Sequence, residues 1–208
     1  MNSSLSNIVT PLLNWYHTYA RTLPWRQSPS AYHIWVSEIM LQQTRVEAVK
    51  AYYNRFTAEL PTIADLAACQ EEKLLKLWEG LGYYNRVRNM QKAAIQVMTQ
   101  YHGEMPHSYE ELLKLPGIGS YTAGAVASIA YGIPVPAVDG NVLRVITRMT
   151  ANYGDITKQN TKDEITKQLQ AIMPKQHAGD FNQALMELGA TVCIPNGEPQ
   201  CFVCPVQT

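Results

Sequence analysis

Apolar residues recur at helical spacing along almost the whole chain, and no stretch shows the two-residue alternation of a half-buried strand. This periodicity commits the chain to an all-α fold. Residues that cap helix starts punctuate it: Ser30 before the Ala31 to Gln43 run, Thr62 with Asp65, Ser108 with Glu111, Thr161 with Glu164 and Asp180 with Gln183. Helix stops fall at Leu60-Pro61, Gly103 to Pro106, Leu115 to Gly119, Gly132 to Pro136, Tyr153-Gly154 and Met173-Pro174. The helices are therefore short and many, without solenoid repeats or low-complexity tracts. A chain of 208 residues is long enough to bury a substantial core, here expected as two helical lobes.

Seventeen basic residues balance seventeen acidic ones, so the chain lacks the global positive charge of many nucleic-acid binders. A nucleic-acid partner would have to meet a local concentration of positive charge, or backbone amides at helix N-termini. Met1 to Thr10 is polar, without the basic start and apolar run of a secretory signal, and no stretch has the apolar length that crosses a bilayer. These features lead to the expectation of a soluble cytoplasmic protein without membrane association. Cys69 stands alone, whereas Cys193, Cys201 and Cys204 crowd together near the C-terminal end, a pattern that in a reducing compartment favours metal ligation over disulfides.

Leu115-Pro116-Gly117-Ile118-Gly119 joins the helix begun by Ser108 to an alanine-rich helix starting near Ser120. Two glycines permit positive φ and close backbone approach, and the next helix presents its first amides and positive dipole end in the same direction. A phosphate fits such a site. A bare turn of this kind is more often ordinary helix punctuation; the strongly patterned helices on both sides set this one apart.

Two carboxylates are candidates for chemistry. Glu38 lies in a helix apolar around nearly its whole circumference, and a buried carboxyl without a cationic partner holds its proton nearer neutrality, as a general acid must; a core glutamate in a buried hydrogen-bond network is the competing reading. Asp139 directly precedes the Val142 to Met149 segment, where it serves as an ordinary N-cap or as a carboxylate placed to stabilise a developing positive charge. A protonated carboxyl paired with an ionised one is the arrangement used to break glycosidic bonds.

Trp35 to Thr44, Gly80-Leu81-Gly82-Tyr83-Tyr84, Leu115 to Gly119, Val138-Asp139-Gly140-Asn141 and Phe181 to Ala190 resemble, in order, motifs of the MutY-type adenine DNA glycosylases of the helix-hairpin-helix superfamily, in their catalytic part. The resemblance implies a monomeric enzyme that binds double-stranded DNA, flips out an adenine mispaired with 8-oxoguanine or guanine and hydrolyses its glycosidic bond. It gives Glu38 the role of protonating adenine and assisting water, and Asp139, with Asn141, that of stabilising the sugar cation. Trp25, Arg26, Leu41 and Glu187 would surround the flipped base; Gln43 and Tyr83 would fill the vacated stack, Gln42 and Thr44 would bind DNA beside them, and Leu115, Gly117, Ile118 and Gly119 would hold the backbone. The family layout implies one domain of residues 30–132, a six-helix barrel with the hairpin, and a second of residues 1–29 plus 133–208.

In bifunctional relatives, the second residue beyond the hairpin's last glycine is a lysine that forms a Schiff base. Here it is Tyr121, and a phenol cannot form an imine, so the implied enzyme hydrolyses without cleaving the strand. A thymine or uracil mismatch glycosylase and a non-catalytic DNA-binding module remain alternatives. Cys193-x7-Cys201-x2-Cys204 resembles the family's [4Fe-4S] loop, which takes four thiolates; by the family's spacing the fourth would follow Thr208. The resemblance thus implies an iron-sulfur cluster with an incomplete ligand set in this chain. The family's C-terminal extension for 8-oxoguanine recognition also lies outside the sequence.

Overall fold

The computed structural model describes residues 3–27 and 29–207; Met1, Asn2, Ser28 and Thr208, which the expected domains and N-terminal reading include, lie outside the described residues. The helices are α1 (Ser3–Ser6), α2 (Val9–Tyr19), α3 (Pro24–Gln27), α4 (Ala31–Leu41), α5 (Val46–Glu59), α6 (Ile63–Ala68), α7 (Glu71–Trp78), α8 (Asn85–Gln100), α9 (Tyr109–Leu112), α10 (Ser120–Tyr131), α11 (Gly140–Met149), α12 (Gln159–Ile172) and α13 (Ala178–Thr191), followed by a short 3-10 turn at Cys201–Val203. Among the described residues there is no strand, and no helix is long and apolar enough to cross a membrane.

The capping signals act where they are local. The Ser30 hydroxyl accepts from the His33 amide, Thr62 and Asp65 form a reciprocal capping box, and the Ser108 hydroxyl accepts from the Glu111 amide. Two expected starts fall within a few residues of the observed ones, but the expected residues are not the caps. Helix α12 begins after Lys158 and α13 after His177, neither with a side-chain cap, so Thr161 and Asp180 lie inside their helices. The carboxylate of Asp180 is engaged by histidines instead.

The chain divides into two compact units, Met1–Arg21 with Gly132–Thr208, and Thr22–Tyr131. The boundary differs from the expected one at residue 30: Thr22 onward belongs with the second unit, where Trp25 packs edge-on to Tyr53 at 5.5 Å. In the Thr22–Tyr131 unit, α4 lies against α10. Small buried residues Ala123, Gly124, Ala125 and Ala127 let the two backbones approach, and the core beyond them is built on Trp35, Phe56, Leu66 and Trp78. In the other unit, α2 and α11 pack on α13 around Leu12, Val142, Ile146, Ile165, Phe181 and Leu185, so an N-terminal helix completes a core otherwise made from the C-terminal part.

Candidate active site residues in each unit

In the Thr22–Tyr131 unit, Glu38 is buried within the almost wholly buried helix α4. From the first turn of α10, the Tyr121 hydroxyl donates to Glu38 Oε2 at 2.5 Å. The residue at the family's lysine position thus touches the expected acid itself. A phenol donor holds the carboxyl in one orientation without supplying a positive charge.

The hairpin departs from expectation in detail. Leu115 and Ile118 turn their side chains into the core, so any contact they make outside this unit is left to their main-chain atoms. Gly117 uses positive φ (76°), and a Cβ there would lie 2.8 Å from Asn89 Cβ, whereas Gly119 is outside the positive-φ region with open space around it. The first amides of α10, which have no partner within the helix, follow directly.

Gln43 (φ 60°) and Tyr83 (φ 45°) both sit in the left-handed region, and both are exposed, Tyr83 to 67%. Such conformations cost non-glycine residues on the order of 1–3 kcal/mol and gather at functional sites. One side chain fixes both segments. Arg86 donates through Nη1 to the carbonyls of Ile39 (2.7 Å) and Gln42 (2.6 Å), and through Nη2 to those of Leu81 (3.0 Å) and Gly82 (3.4 Å). Its guanidinium lies 5.5 Å from the Tyr83 ring centroid, and burial lowers its pKa from the usual arginine value. Thr44 and Gln42 are half-buried beside this bolt, as are Leu41 and Arg26 elsewhere in the unit, while Trp25 is buried. Arg86→Ala is expected to lower stability by about 2–3 kcal/mol, because several charge-assisted bonds to carbonyls are lost together. Arg86→Lys should recover only part, since an ammonium cannot reproduce the planar fork. Urea unfolding checks this, and full recovery by lysine would contradict it.

In the other unit, Asp139 is the N-cap of α11: Oδ1 accepts from the Val142 amide at 2.8 Å, and Oδ2 accepts from Asn141 Nδ2 at 2.7 Å. The capping and the candidate chemical roles therefore share one carboxylate, leaving it fixed at a helix N-terminus. Asn141 is held by Arg144, whose Nη2 donates to Asn141 Oδ1 (2.9 Å) and the Gly189 carbonyl (2.7 Å), and whose Nε donates to the Cys193 carbonyl (2.9 Å). Helices α11 and α13 meet closely here, since a Cβ on Gly189 would lie 2.6 Å from Asn141 Cβ. Glu187 is buried and paired with Arg21, which reaches it through Nε (2.6 Å), Nη2 (3.1 Å) and its backbone amide (3.1 Å). It is no solvated surface charge.

Cys193, Cys201 and Cys204 are free thiols, and electrostatic coupling of Cys204 to both others accompanies burial that pushes its pKa up. Arg148 Nη1 donates to Cys193 Sγ at 3.3 Å. Cys69 closes α6 in the other unit. A [4Fe-4S] cluster is held by four thiolates, and this segment carries three cysteines. Sequence reasoning missed Arg21, Arg86 and Arg144; a guanidinium that bonds carbonyls or a distant carboxylate leaves no local pattern.

An all-helical chain with a glycine hairpin, a buried glutamate and a helix-capping aspartate has the features of a DNA repair glycosylase scaffold. The chain belongs to the HhH-GPD superfamily of base excision DNA repair proteins, whose family model matches residues 36–175. It is 46% identical over 206 residues to the adenine DNA glycosylase of Mus musculus, covering 95% of this chain and 40% of that protein. The adenine DNA glycosylase of Buchnera aphidicola subsp. Baizongia pistaciae is 42% identical over 200 residues, with coverage of 95% and 56%. The chain thus spans about half the length of such curated relatives. Among solved structures, a thermostable thymine-DNA glycosylase (TM-score 0.87) and an endonuclease III in non-covalent complex with DNA (TM-score 0.80) are each 27% identical and cover 99% of this chain, which covers 94% of each.

Proposed function

We propose that the chain is the catalytic portion of an adenine DNA glycosylase, acting on double-stranded DNA in which adenine is mispaired with 8-oxoguanine or guanine, by hydrolysis and without strand cleavage. The observation that carries this reading is the buried Glu38 carboxyl held by a phenol, where a lyase would carry an amine. Glu38 donates a proton to the N7 nitrogen of the flipped adenine, so that the bond between the base and the sugar breaks with adenine leaving as a neutral molecule. Asp139, positioned by Asn141 and the α11 amides, stabilises the positive charge on the sugar. Water then adds to the sugar carbon and yields its proton to Glu38. Glu187, oriented by Arg21, together with Trp25, Arg26 and Leu41, receives the base. Gln43 and Tyr83 support the opened stack, with Gln42 and Thr44 binding DNA beside them, and the Gly117 to Gly119 backbone holds a phosphate.

Cys193, Cys201 and Cys204 would supply three ligands to an iron-sulfur cluster. Ligation there would add order to the C-terminal loop that Arg144 and Arg148 tie to α11.

Single-turnover base release from duplexes carrying adenine, thymine or uracil mispairs tests the reading. Adenine should be released from mispairs with 8-oxoguanine and guanine, and Asp139→Asn should slow release by about 10²–10³-fold, the usual effect of removing one electrostatic stabiliser. Faster release of thymine or uracil would replace the substrate assigned here. Tight binding without release of any base would reduce the chain to a DNA-binding module.

A further inference from the structure

We propose that His17, His177 and Asp180 form a binding site for a first-row divalent transition metal, with Zn²⁺ the ion whose geometry they suit. His17 lies near the C-terminal end of α2, His177 precedes α13, and Asp180 lies in the first turn of α13, all in one unit. Nε2 of His17 is 3.0 Å from Asp180 Oδ2, and Nδ1 of His177 is 3.2 Å from the same oxygen. The three ligand atoms lie within 4.8 Å of one another, and the two imidazoles meet edge-on at 5.8 Å.

Tetrahedral Zn²⁺, with bonds of about 2.0–2.2 Å to imidazole nitrogen and carboxylate oxygen, separates its ligand atoms by roughly 3.3 Å. Both imidazole-carboxylate separations are already near that value, and the nitrogen-nitrogen edge is within reach of side-chain rotation. Two neutral nitrogens and one anionic oxygen form a donor set suited to Zn²⁺, Ni²⁺ or Cu²⁺ over Mg²⁺ or Ca²⁺. On binding, the proton that each ring shares with the carboxylate moves to the ring's other nitrogen or to solvent. All three side chains are partly exposed, so water can complete the coordination.

His177 adds a second observation. It occupies the N-cap position at φ 63°, uncommon for a residue with a Cβ, yet its side chain makes no capping bond. Its ring is turned to Asp180 instead. The site would join α2 to α13 across 163 residues of sequence, so that metal binding to the folded chain alone stabilises it by mass action. It shares no residue with the proposed glycosylase machinery or with the cysteine loop.

The test uses the full chain, with any iron-sulfur centre left in place, titrated with Zn²⁺ by calorimetry and followed by thermal unfolding; Co²⁺ serves as a spectroscopic probe. Wild type should take up Zn²⁺ with a rise in Tm, and bound Co²⁺ should show weak visible bands without thiolate charge transfer. His17→Gln, which keeps a hydrogen-bond donor but loses the imidazole, should weaken binding by at least the roughly 10–100-fold seen when even an outer-shell partner is lost. Asp180→Ala should do the same, with circular dichroism confirming that each variant is folded. Absence of uptake by wild type would overturn the site. So would uptake that survives in the His17→Gln, His177→Gln double variant, or a charge-transfer band that places the probe on sulfur.

Discussion

Replacement of Glu38 by glutamine is expected to slow adenine release by about 10²–10⁴-fold, the range that general acid-base catalysis supplies, while leaving affinity for mispaired DNA intact. Adenine is a poor leaving group as an anion and a good one once protonated, and a carboxamide has no proton to give it. Structural damage should be small, because glutamine matches glutamate in volume and its carbonyl can still accept the Tyr121 hydroxyl bond. Single-turnover release measured beside a binding isotherm separates the two effects. An unchanged release rate would show that another group protonates the base. Equal losses of binding and of structure would mean that Glu38 is a core residue and nothing more.

What the sequence made legible follows the range of the interactions involved. Ser30, Thr62, Ser108 and Asp139 announce helix starts because each cap bond spans three residues of sequence. Thr161 and Asp180 mislead for the same reason: α12 and α13 begin without a side-chain cap, so composition alone carries no signal there. The burial of Glu38 is written in the apolar circumference of α4, but its bond to Tyr121 joins residues 83 apart and is invisible to any local pattern. Leu115 and Ile118 show how a motif and a core can share residues: their apolar side chains are buried, so any role the motif match lends them falls to their main-chain atoms. The arginines were least legible of all. Arg86 acts on four backbone carbonyls and Arg144 on three, two of them 45 and 49 residues away, and a carbonyl has no residue identity to read.

Replacement of Tyr121 by lysine should move the protein from hydrolysis towards lyase chemistry, with a measurable cost to base release. The substitution puts an amine at the position from which relatives form a Schiff base, and it also puts that amine beside Glu38, which Tyr121 touches. An ammonium next to a carboxyl favours the ionised carboxylate and holds its own proton more tightly, so the acid that should protonate adenine is depleted and the nucleophile is partly masked. Two outcomes follow from that pairing. Adenine release at neutral pH should fall below wild type, and borohydride trapping of a protein-DNA adduct, absent in wild type, should appear and grow as pH rises and the amine loses its proton. Where the amine does attack, its nitrogen bonds to the sugar carbon left by the base and gives up a proton, the bond from that carbon to the ring oxygen then breaks to give the imine while the ring oxygen takes a proton to become a hydroxyl, and proton abstraction from the neighbouring carbon expels the 3′ phosphate. Gel assays with and without borohydride, at several pH values, resolve each event. Trapping by wild type at the variant's level would mean that a different amine reaches the sugar. A lysine variant that releases adenine at the wild-type rate would mean that the contact between residue 121 and Glu38 plays no part in protonating the base.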